Sequence, residues 1–288
     1  MLKDLLSDIY TVLEKRDIIK KLIPFAVDEG VGTYQTSFAA KALLRASHQG
    51  TVLDCIERQV RADLRAVPFK ATRRINLFYD CLWPMGLDYF NRGDTKADSP
   101  AGRGQYPPIP LDIYRFIEGA RSIPSFLDGK FFADIGSGLG EKAILMSLMS
   151  DMTCFGIECD WQSTIVAMNA TRLLSQERRG RIGLFCGDAN EILAKQKKHQ
   201  LPNIDRVYTY KPCMDDNVLK TLYQSIWNFI QPGTIWWEAL PGAILCDIVG
   251  ISYPNHYNHG REDKMVVINK KDVKVLPSEH GIAIQKLR

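Results

Sequence analysis

The sequence predicts an α/β fold with a mostly parallel sheet, and three observations lead to this prediction. From about residue 111 onwards, short apolar runs alternate with segments of helical periodicity. The first apolar run turns directly into a glycine-rich loop, and the alternation ends in two or three short strands with no long helix between them. Such alternation is typical of parallel strands joined by crossover helices that cover both faces of the sheet.

The composition is that of a globular protein with a large core. Of the 288 residues, 45% are hydrophobic and 24% are charged, which excludes a disordered chain, collagen and a coiled coil. Basic residues exceed acidic ones by 4, a balance that neither requires nor excludes a nucleic-acid partner. The seven cysteines are scattered, and no stretch has the roughly 18 consecutive apolar residues of a membrane span. We therefore expect a cytoplasmic or otherwise intracellular protein without a membrane partner.

The chain divides into three parts. Residues 1–90 carry apolar residues at intervals of three and four, and we expect a helical cap or substrate region there. Residues 91–110 are crowded with Gly, Pro, Asp and Ser, which predicts a linker or a loop that covers a cofactor. Residues 111–288 contain the alternating strands and helices and form the α/β domain.

Within the α/β domain, the predicted elements follow one another in a regular order. The strands contain the sequences FFADI, CFGIE, RIGLFCGD, IDRVYTY and GTIWWEAL. The helices contain LDIYRFIEGA before the first strand, a segment ending at Ser150, and segments over about 162–176, 189–198 and 215–230. The final strands are predicted at Lys264–Asn269, Val273–Leu276 and Ile282–Lys286.

A glycine loop follows the first predicted strand, where ligands bind in open α/β sheets. The strand ends near Asp134, and the loop reads Gly136, Ser137, Gly138, Leu139, Gly140. Its spacing is G-x-G-x-G, whereas the dinucleotide motif is G-x-G-x-x-G, and Glu141 occupies that last position. Because a carboxylate there repels a pyrophosphate, the loop favours a nucleoside without phosphates.

This loop resembles the first motif of class I S-adenosylmethionine (SAM)-dependent methyltransferases. Glu158 ends the second strand, where the family keeps an acid that binds both ribose hydroxyls, and Asp188 follows the third strand, where the family binds the adenine amine beside Ala189. The resemblance covers about 106–288 and implies a seven-stranded, Rossmann-like sheet closed by an antiparallel hairpin. It further implies that SAM is the cofactor and S-adenosylhomocysteine the product. No metal site is predicted, because the pair His256 and His259 has no third ligand at a suitable spacing.

Three acidic residues have a second interpretation each. Glu158 and Asp188 are also suitable caps for the helices that follow them. The Asp134 carboxylate either accepts hydrogen bonds from the backbone amides of the loop or, as in many family members, lies near the ammonium of the methionine moiety. The glycines Gly136, Gly138 and Gly140 then surround the methionine and ribose of the cofactor.

The end of the fourth strand faces the methyl group in this family. It carries the candidate catalytic residues Tyr208, Tyr210, Lys211 and Pro212. The sequence there departs from the motif of DNA-base amino-methyltransferases, because it has one proline and no acid or amide. Tyr106, Tyr208, Tyr210, Trp236 and Trp237 are candidates for an aromatic channel, although the adjacent tryptophans must point to opposite faces of their strand.

A second resemblance concerns the segment before the α/β domain. Tyr106 begins the sequence YPPIP, which is similar to a segment before the first motif in non-SET, seven-strand lysine methyltransferases. This resemblance places Tyr106 against the methionine end of the cofactor and favours a protein lysine amine as the acceptor. A nucleic acid, a small molecule, or a non-catalytic SAM- or nucleotide-binding module of the same fold are the alternatives. The oligomeric state is not predicted.

Overall fold

The α/β domain forms one sheet with helices on both faces. The computed structural model describes residues 113–195, 202–210, 216–239, 243–251 and 272–288, together with positions 57, 58, 60–64, 75, 79 and 82. The strands are β1 (Phe131–Ile135), β2 (Thr153–Glu158), β3 (Ile182–Cys186), β4 (Arg206–Thr209), β5 (Ile235–Glu238), β6 (Val273–Leu276) and β7 (Ile282–Lys286). The helices are α1 (Ile113–Ser122), α2 (Glu141–Met149), α3 (Trp161–Thr171), α4 (Gln176–Arg179), α5 (Ala189–Ala194), α6 (Asp216–Phe229) and α7 (Ala243–Val249).

The seven strands lie in the order β3-β2-β1-β4-β5-β7-β6. Strands β1 to β5 are parallel, and β7 pairs antiparallel with both β5 and β6. The predicted α/β fold with a C-terminal antiparallel hairpin is therefore confirmed. The order also reverses between β1 and β4, and this switch point at the carboxyl ends of the strands is where open α/β sheets bind ligands.

Two apolar layers enclose the sheet because alternate strand residues point to opposite faces. On one face, Phe132 and Tyr208 pack with α1 and α2, and α2 is buried along its whole length. On the other face, Ala133 and Val207 pack with residues of α5, α6 and α7. The adjacent residues Trp236 and Trp237 are divided between the two layers, as their alternation requires.

Close packing of α1 against the sheet depends on one glycine. Gly119 lies against the indole of Trp237, and a Cβ atom at Gly119 would lie 2.3 Å from the ring carbon Cζ2. Trp237 is fully buried and stacks on Phe116 with 5.5 Å between ring centroids. Any larger residue at position 119 would therefore displace α1 from the sheet.

The described positions of the N-terminal region are helical, as predicted, and contact the α2 face of the sheet. Val60, Leu64, Ile75 and Leu82 belong to the same buried cluster as Phe132. A helix at these positions thus completes the apolar layer over α2.

Two predicted elements differ from the structure or lie outside it. The helix predicted over 162–176 is wrong at its end, because α3 stops at Thr171 and a separate helix, α4, begins after Ser175. The Ser175 side chain accepts a hydrogen bond from the Arg178 amide and so caps this new helix. The strand predicted at Lys264–Asn269 lies outside the described residues. Across the described ranges, no helix is both long and apolar enough to cross a membrane.

Candidate functional site

The glycine loop between β1 and α2 is held at the carboxyl end of β2. The amides of Gly136 and Ser137 donate to the Ile157 carbonyl at 2.9 and 3.0 Å. Gly136, Gly138 and Gly140 have φ values of 76°, 53° and 74°. A side chain at any of these positions is strained, because L-residues rarely adopt the left-handed region.

The first and last glycines of the loop have different surroundings. A Cβ atom at Gly140 would lie 2.8 Å from the Ala167 Cβ on α3, so Gly140 allows α2 and α3 to approach each other. A Cβ atom at Gly136 would meet no atom of the described residues within 4 Å, so these residues leave the space above Gly136 open. The Ser137 side chain is buried, and its Oγ lies over Gly156 of β2. The loop therefore offers backbone, rather than the Ser137 hydroxyl, to a ligand.

Glu158 at the end of β2 contacts the loop directly. Its Oε2 atom accepts from the Gly138 amide at 2.8 Å, and its Oε1 atom accepts from the Asp160 amide at 2.9 Å. The cap of α3 is Asp160, whose side chain accepts from the amides of Gln162 and Ser163. Glu158 thus fixes the loop beside it. Its Oε1 atom also accepts from the Cys159 thiol at 3.4 Å, so Oε2 is the oxygen that keeps a lone pair for a further donor.

Asp134 of β1 is a buried carboxylate beneath the loop. It is 1% exposed, and neither of its oxygens has a hydrogen-bond partner among the described residues. Burial raises the pKa of Asp134 to about 7, while the Lys142 ammonium opposes the rise and the Glu158 charge adds to it. The loop amides do not bond to Asp134, which leaves its carboxylate available to a cationic group.

Asp188 lies beyond the end of β3, at the side of the sheet next to Glu158. Its Oδ1 atom accepts from the Asn190 amide at 2.8 Å, so it caps α5, which begins at Ala189. The bond from Gly187 to the Glu158 carbonyl, at 2.8 Å, holds the turns after β2 and β3 together. Glu158, Asp188 and Ala189 therefore share one end of the carboxyl edge of the sheet.

The end of β4 carries the aromatic candidates. Tyr208 is packed in the core, with its ring centroid 4.8 Å from that of Trp237 and 5.2 Å from that of Phe116. Burial and the nearby charges of Asp134, Tyr210 and Glu141 raise the pKa of Tyr208. Tyr210 is half-buried, and the Lys142 ammonium lies 5.9 Å from its ring centroid. Of the predicted aromatic channel, Tyr210 is thus the least enclosed of the four described residues.

Sequence reasoning missed a cluster in the first turn of α2. Glu141 is 2% exposed and accepts a hydrogen bond from the Tyr79 hydroxyl, and Lys142 is 8% exposed. Burial raises the pKa of Glu141 to about 7, and the Lys142 charge opposes the rise. Two adjacent charges at the start of an otherwise apolar helix were the signal for this cluster in the sequence.

Several residues predicted for the site lie outside the described ranges, and one further group of acids and a histidine lies within them. Tyr106, Lys211 and Pro212 lie outside the described residues, as does the loop 91–110. Glu118, Glu279 and His280 have ligand atoms within 4.8 Å of one another, and His280 Nε2 lies 3.4 Å from Glu118 Oε2. This histidine–carboxylate contact accounts for the grouping without a metal ion.

Solved structures resemble this chain at low identity. The glycopeptide N-methyltransferase MtfA complexed with SAM is 14% identical, over 43% of this chain and 48% of that chain, with a TM-score of 0.35. The methyltransferase domain of bacterial CtHen1 is 19% identical, over 40% of this chain and 59% of that chain, with a TM-score of 0.34. The cyclase SpnF is 19% identical, over 41% of each chain, with a TM-score of 0.34.

This chain spans about half the length of these solved chains. No protein-family model and no curated protein matches it. The resemblance implies a seven-stranded, mostly parallel sheet closed by an antiparallel hairpin, and the structure contains both features. The described α/β domain therefore has the Rossmann-like fold that was expected from the sequence.

Proposed function

We propose that this chain binds SAM and transfers its methyl group to an acceptor. The observation that carries the proposal is Asp134, a buried carboxylate without a hydrogen-bond partner beneath a glycine loop at the carboxyl edge of the sheet. A buried carboxylate without a hydrogen-bond partner lowers the stability of the fold. Such a group is expected where a cationic ligand binds and becomes its partner. SAM supplies a methyl group on a sulfonium, together with an ammonium that fits this carboxylate.

The residues around Asp134 fit the other parts of the cofactor. The open space above Gly136 admits a ligand to the backbone of the loop. Oε2 of Glu158 keeps a lone pair for one ribose hydroxyl, and the second hydroxyl would replace the weak Cys159 thiol donor at Oε1. Asp188 with Ala189 follows the next strand, where the adenine would lie. Aligning the donor and the acceptor and excluding water would be the main tasks of the protein, because methyl transfer is an in-line displacement.

A protein lysine amine is the acceptor that we favour. The support is the resemblance of the sequence at Tyr106 to non-SET lysine methyltransferases, with Tyr210, Lys211 and Pro212 as residues on the acceptor side. Nucleic acids and small molecules are the alternative acceptors. A module that binds SAM or a nucleotide without catalysis is the alternative of a different class, since one fold hosts many chemistries.

Calorimetric titration with SAM, S-adenosylhomocysteine and NAD tests the proposal without knowledge of the acceptor. We expect the first two to bind and NAD to show no heat. Glu158→Ala should weaken SAM binding, whereas Glu191→Gln, on the exposed surface of α5, is the matched control. Failure of SAM and S-adenosylhomocysteine to bind the folded wild-type chain would overturn the proposal. Peptides, RNA, DNA and amines are then screened as acceptors with SAM bound. Release of S-adenosylhomocysteine with one of them would indicate an enzyme, and SAM binding without its release would indicate a binding module.

A further inference from the structure

Glu141 and Tyr79 form a buried pair beside the proposed cofactor site. The Tyr79 hydroxyl, from the N-terminal region, donates to Oε1 of Glu141 in the first turn of α2. Lys142 follows Glu141 and is also buried, with its ammonium over the ring of Tyr210. The cofactor contacts proposed for Asp134 and Glu158 do not involve Glu141 or Tyr79.

The pair lies on the acceptor side of the cofactor site. Ribose and adenine are assigned to the ends of β2 and β3, on one side of β1. The charge of Glu141 contributes to the raised pKa of Tyr208, and Lys142 contacts Tyr210, so both residues are near β4, on the other side of β1. A group that approaches the methyl from β4 therefore passes close to Glu141.

The charges at the site favour a cationic acceptor. Among the described residues around the loop, three acids, Asp134, Glu141 and Glu158, are accompanied by one ammonium, that of Lys142. SAM carries one net positive charge at neutral pH, from its sulfonium, ammonium and carboxylate. One negative charge therefore remains when SAM is bound and the acids are ionised, and an ammonium would neutralise it.

Burial also restricts the shape of the acceptor. Glu141 is 2% exposed, so any acceptor that reaches its carboxylate must displace residues around it, and a narrow group displaces fewer of them than a flat base or a bulky ring. An alkyl chain that ends in an amine is narrow and apolar along its length, with the charge at its tip.

We propose that Glu141 accepts the proton of a primary alkylamine before methyl transfer, and that Tyr79 is the positioning residue that holds the Glu141 carboxylate. This inference rests on the proposed function. The Glu141 carboxylate takes one proton from the ammonium, and the freed nitrogen lone pair forms the N–C bond. The C–S bond breaks with its electron pair on sulfur. The products are S-adenosylhomocysteine and a secondary ammonium, and Glu141 returns the proton to solvent.

The titration of Glu141 suits this role. Burial raises the pKa of Glu141 to about 7, so the carboxylate is ionised at slightly alkaline pH and still has a useful proton affinity. The ionisable groups that interact with it among the described residues are Lys142 in the same helix, Tyr79 from the N-terminal region and Tyr208 of β4.

The first test measures methyl transfer by S-adenosylhomocysteine release between pH 6 and 9. The probes are n-hexylamine, Nα-acetyl-lysine methylamide and n-hexanol, and the proteins are wild type, Glu141→Gln and the control Glu191→Gln. We expect transfer to the amines only, with a wild-type rate that rises up to about pH 7 and then levels off. Glu141→Gln should lose about 100-fold at pH 7, and its rate should keep rising tenfold per pH unit, because it depends on the free amine in solution.

The second test is independent of turnover. With S-adenosylhomocysteine bound, n-hexylamine should raise the melting temperature of wild type and Glu191→Gln but not of Glu141→Gln, and n-hexanol should have no such selective effect. Calorimetric SAM affinity should stay within about twofold in all three proteins. Loss of SAM binding in the wild type would refute the proposed function, whereas SAM binding without transfer to any amine would refute this inference alone.

Tyr79→Phe tests the positioning role. Removing a hydrogen bond to a carboxylate raises its pKa, so the pH at which the rate levels off should move upward while SAM affinity stays unchanged. An unchanged pH profile in Tyr79→Phe, or in Glu141→Gln, would overturn the assignment.

Discussion

Asp134 of β1 lies directly opposite Tyr208 of β4 in the parallel ladder, with Gly156 of β2 on its other side. A carboxylate is therefore placed between an aromatic ring and a residue without a side chain, in the layer that α2 covers. This arrangement removes water from Asp134 and leaves both of its oxygens without a hydrogen-bond partner within the described protein. Ionised Asp134 therefore lowers the stability of the unliganded fold.

Asp134→Asn should stabilise the unliganded protein and abolish tight SAM binding. The pKa of Asp134 is 3.8 in the unfolded chain and about 7 in the folded one, so ionisation destabilises the fold. The stability contribution of this group is greatest at acidic pH and is lost as pH rises towards 7, with a total loss of up to about 4 kcal/mol. Chemical denaturation at pH 5 and pH 8 measures it.

The free energy of unfolding of Asp134→Asn should exceed that of wild type at pH 8, and this difference should be smaller at pH 5. Asp247→Asn, at an exposed position of α7, should change neither stability nor SAM affinity. Equal stability of Asp134→Asn and wild type at pH 8 would show that the carboxylate is already compensated in solution.

Gly136→Ala and Gly140→Ala should separate ligand binding from stability. Both substitutions place a side chain in the left-handed region, at a cost of about 1–2 kcal/mol. Gly140→Ala adds an overlap with Ala167 and should destabilise the protein further. Gly136→Ala projects its methyl group into the space where the ligand is proposed to lie. The folded variant should therefore bind SAM more weakly than wild type, although its stability falls less than that of Gly140→Ala. Denaturation and calorimetry on both variants provide the comparison, and equal SAM affinity in Gly136→Ala and wild type would exclude this space as the ligand site.

Glu158→Ala should weaken SAM binding more than Asp188→Ala. Glu158 would lose two charge-assisted hydrogen bonds to ribose, each about 1.5–3 kcal/mol before water compensates, and the Gly138 amide would lose its partner. Asp188→Ala removes one amine contact and the cap of α5, so its larger effect should be on stability. If Asp188→Ala proves more damaging to SAM affinity, the ribose and adenine ends of the site are reversed.

Arg178→Ala should destabilise the domain by about 3–5 kcal/mol without changing SAM affinity. Arg178 is buried, and its Nη1 donates to the carbonyl oxygens of Ser147 at 2.7 Å and Ser150 at 3.3 Å, at the far end of α2 from the glycine loop. Its Nε lies 3.8 Å from Glu57 of the N-terminal region. Arg179→Ala, at the exposed neighbouring position, is the control for denaturation, and a loss of SAM affinity in folded Arg178→Ala would contradict a purely structural role.

Sequence patterns predicted the features that depend on neighbours along the chain. The strand at Phe131–Ile135, the glycine loop and the strands at Val273–Leu276 and Ile282–Lys286 all follow from local periodicity and turn chemistry, and the structure contains them. The break between α3 and α4 was missed because a helical period continues through it, while the competing signal is a single capping serine, Ser175.

The site was predicted only in part for the same physical reason. Asp134, Glu158 and Asp188 stand at successive strand ends, so the fold class alone brings them to one edge. The contact of Tyr79 with Glu141 joins residues that are 62 positions apart, and no periodicity encodes such a distance. Tyr79 is therefore absent from the residues predicted for the site, because its partner lies in another region of the chain.

The position of the antiparallel strand β7 restricts the order in which the last strands can join the sheet during folding. In the described sheet, β6 has β7 as its one neighbour, and β7 separates β6 from β5. The ribosome makes Val273–Leu276 before Ile282–Lys286, yet the earlier strand has no place in the sheet until the later one arrives. β6 can therefore enter the sheet only together with β7 or after it, and β7 must first reach β5 across the intervening chain, which costs loop-closure entropy.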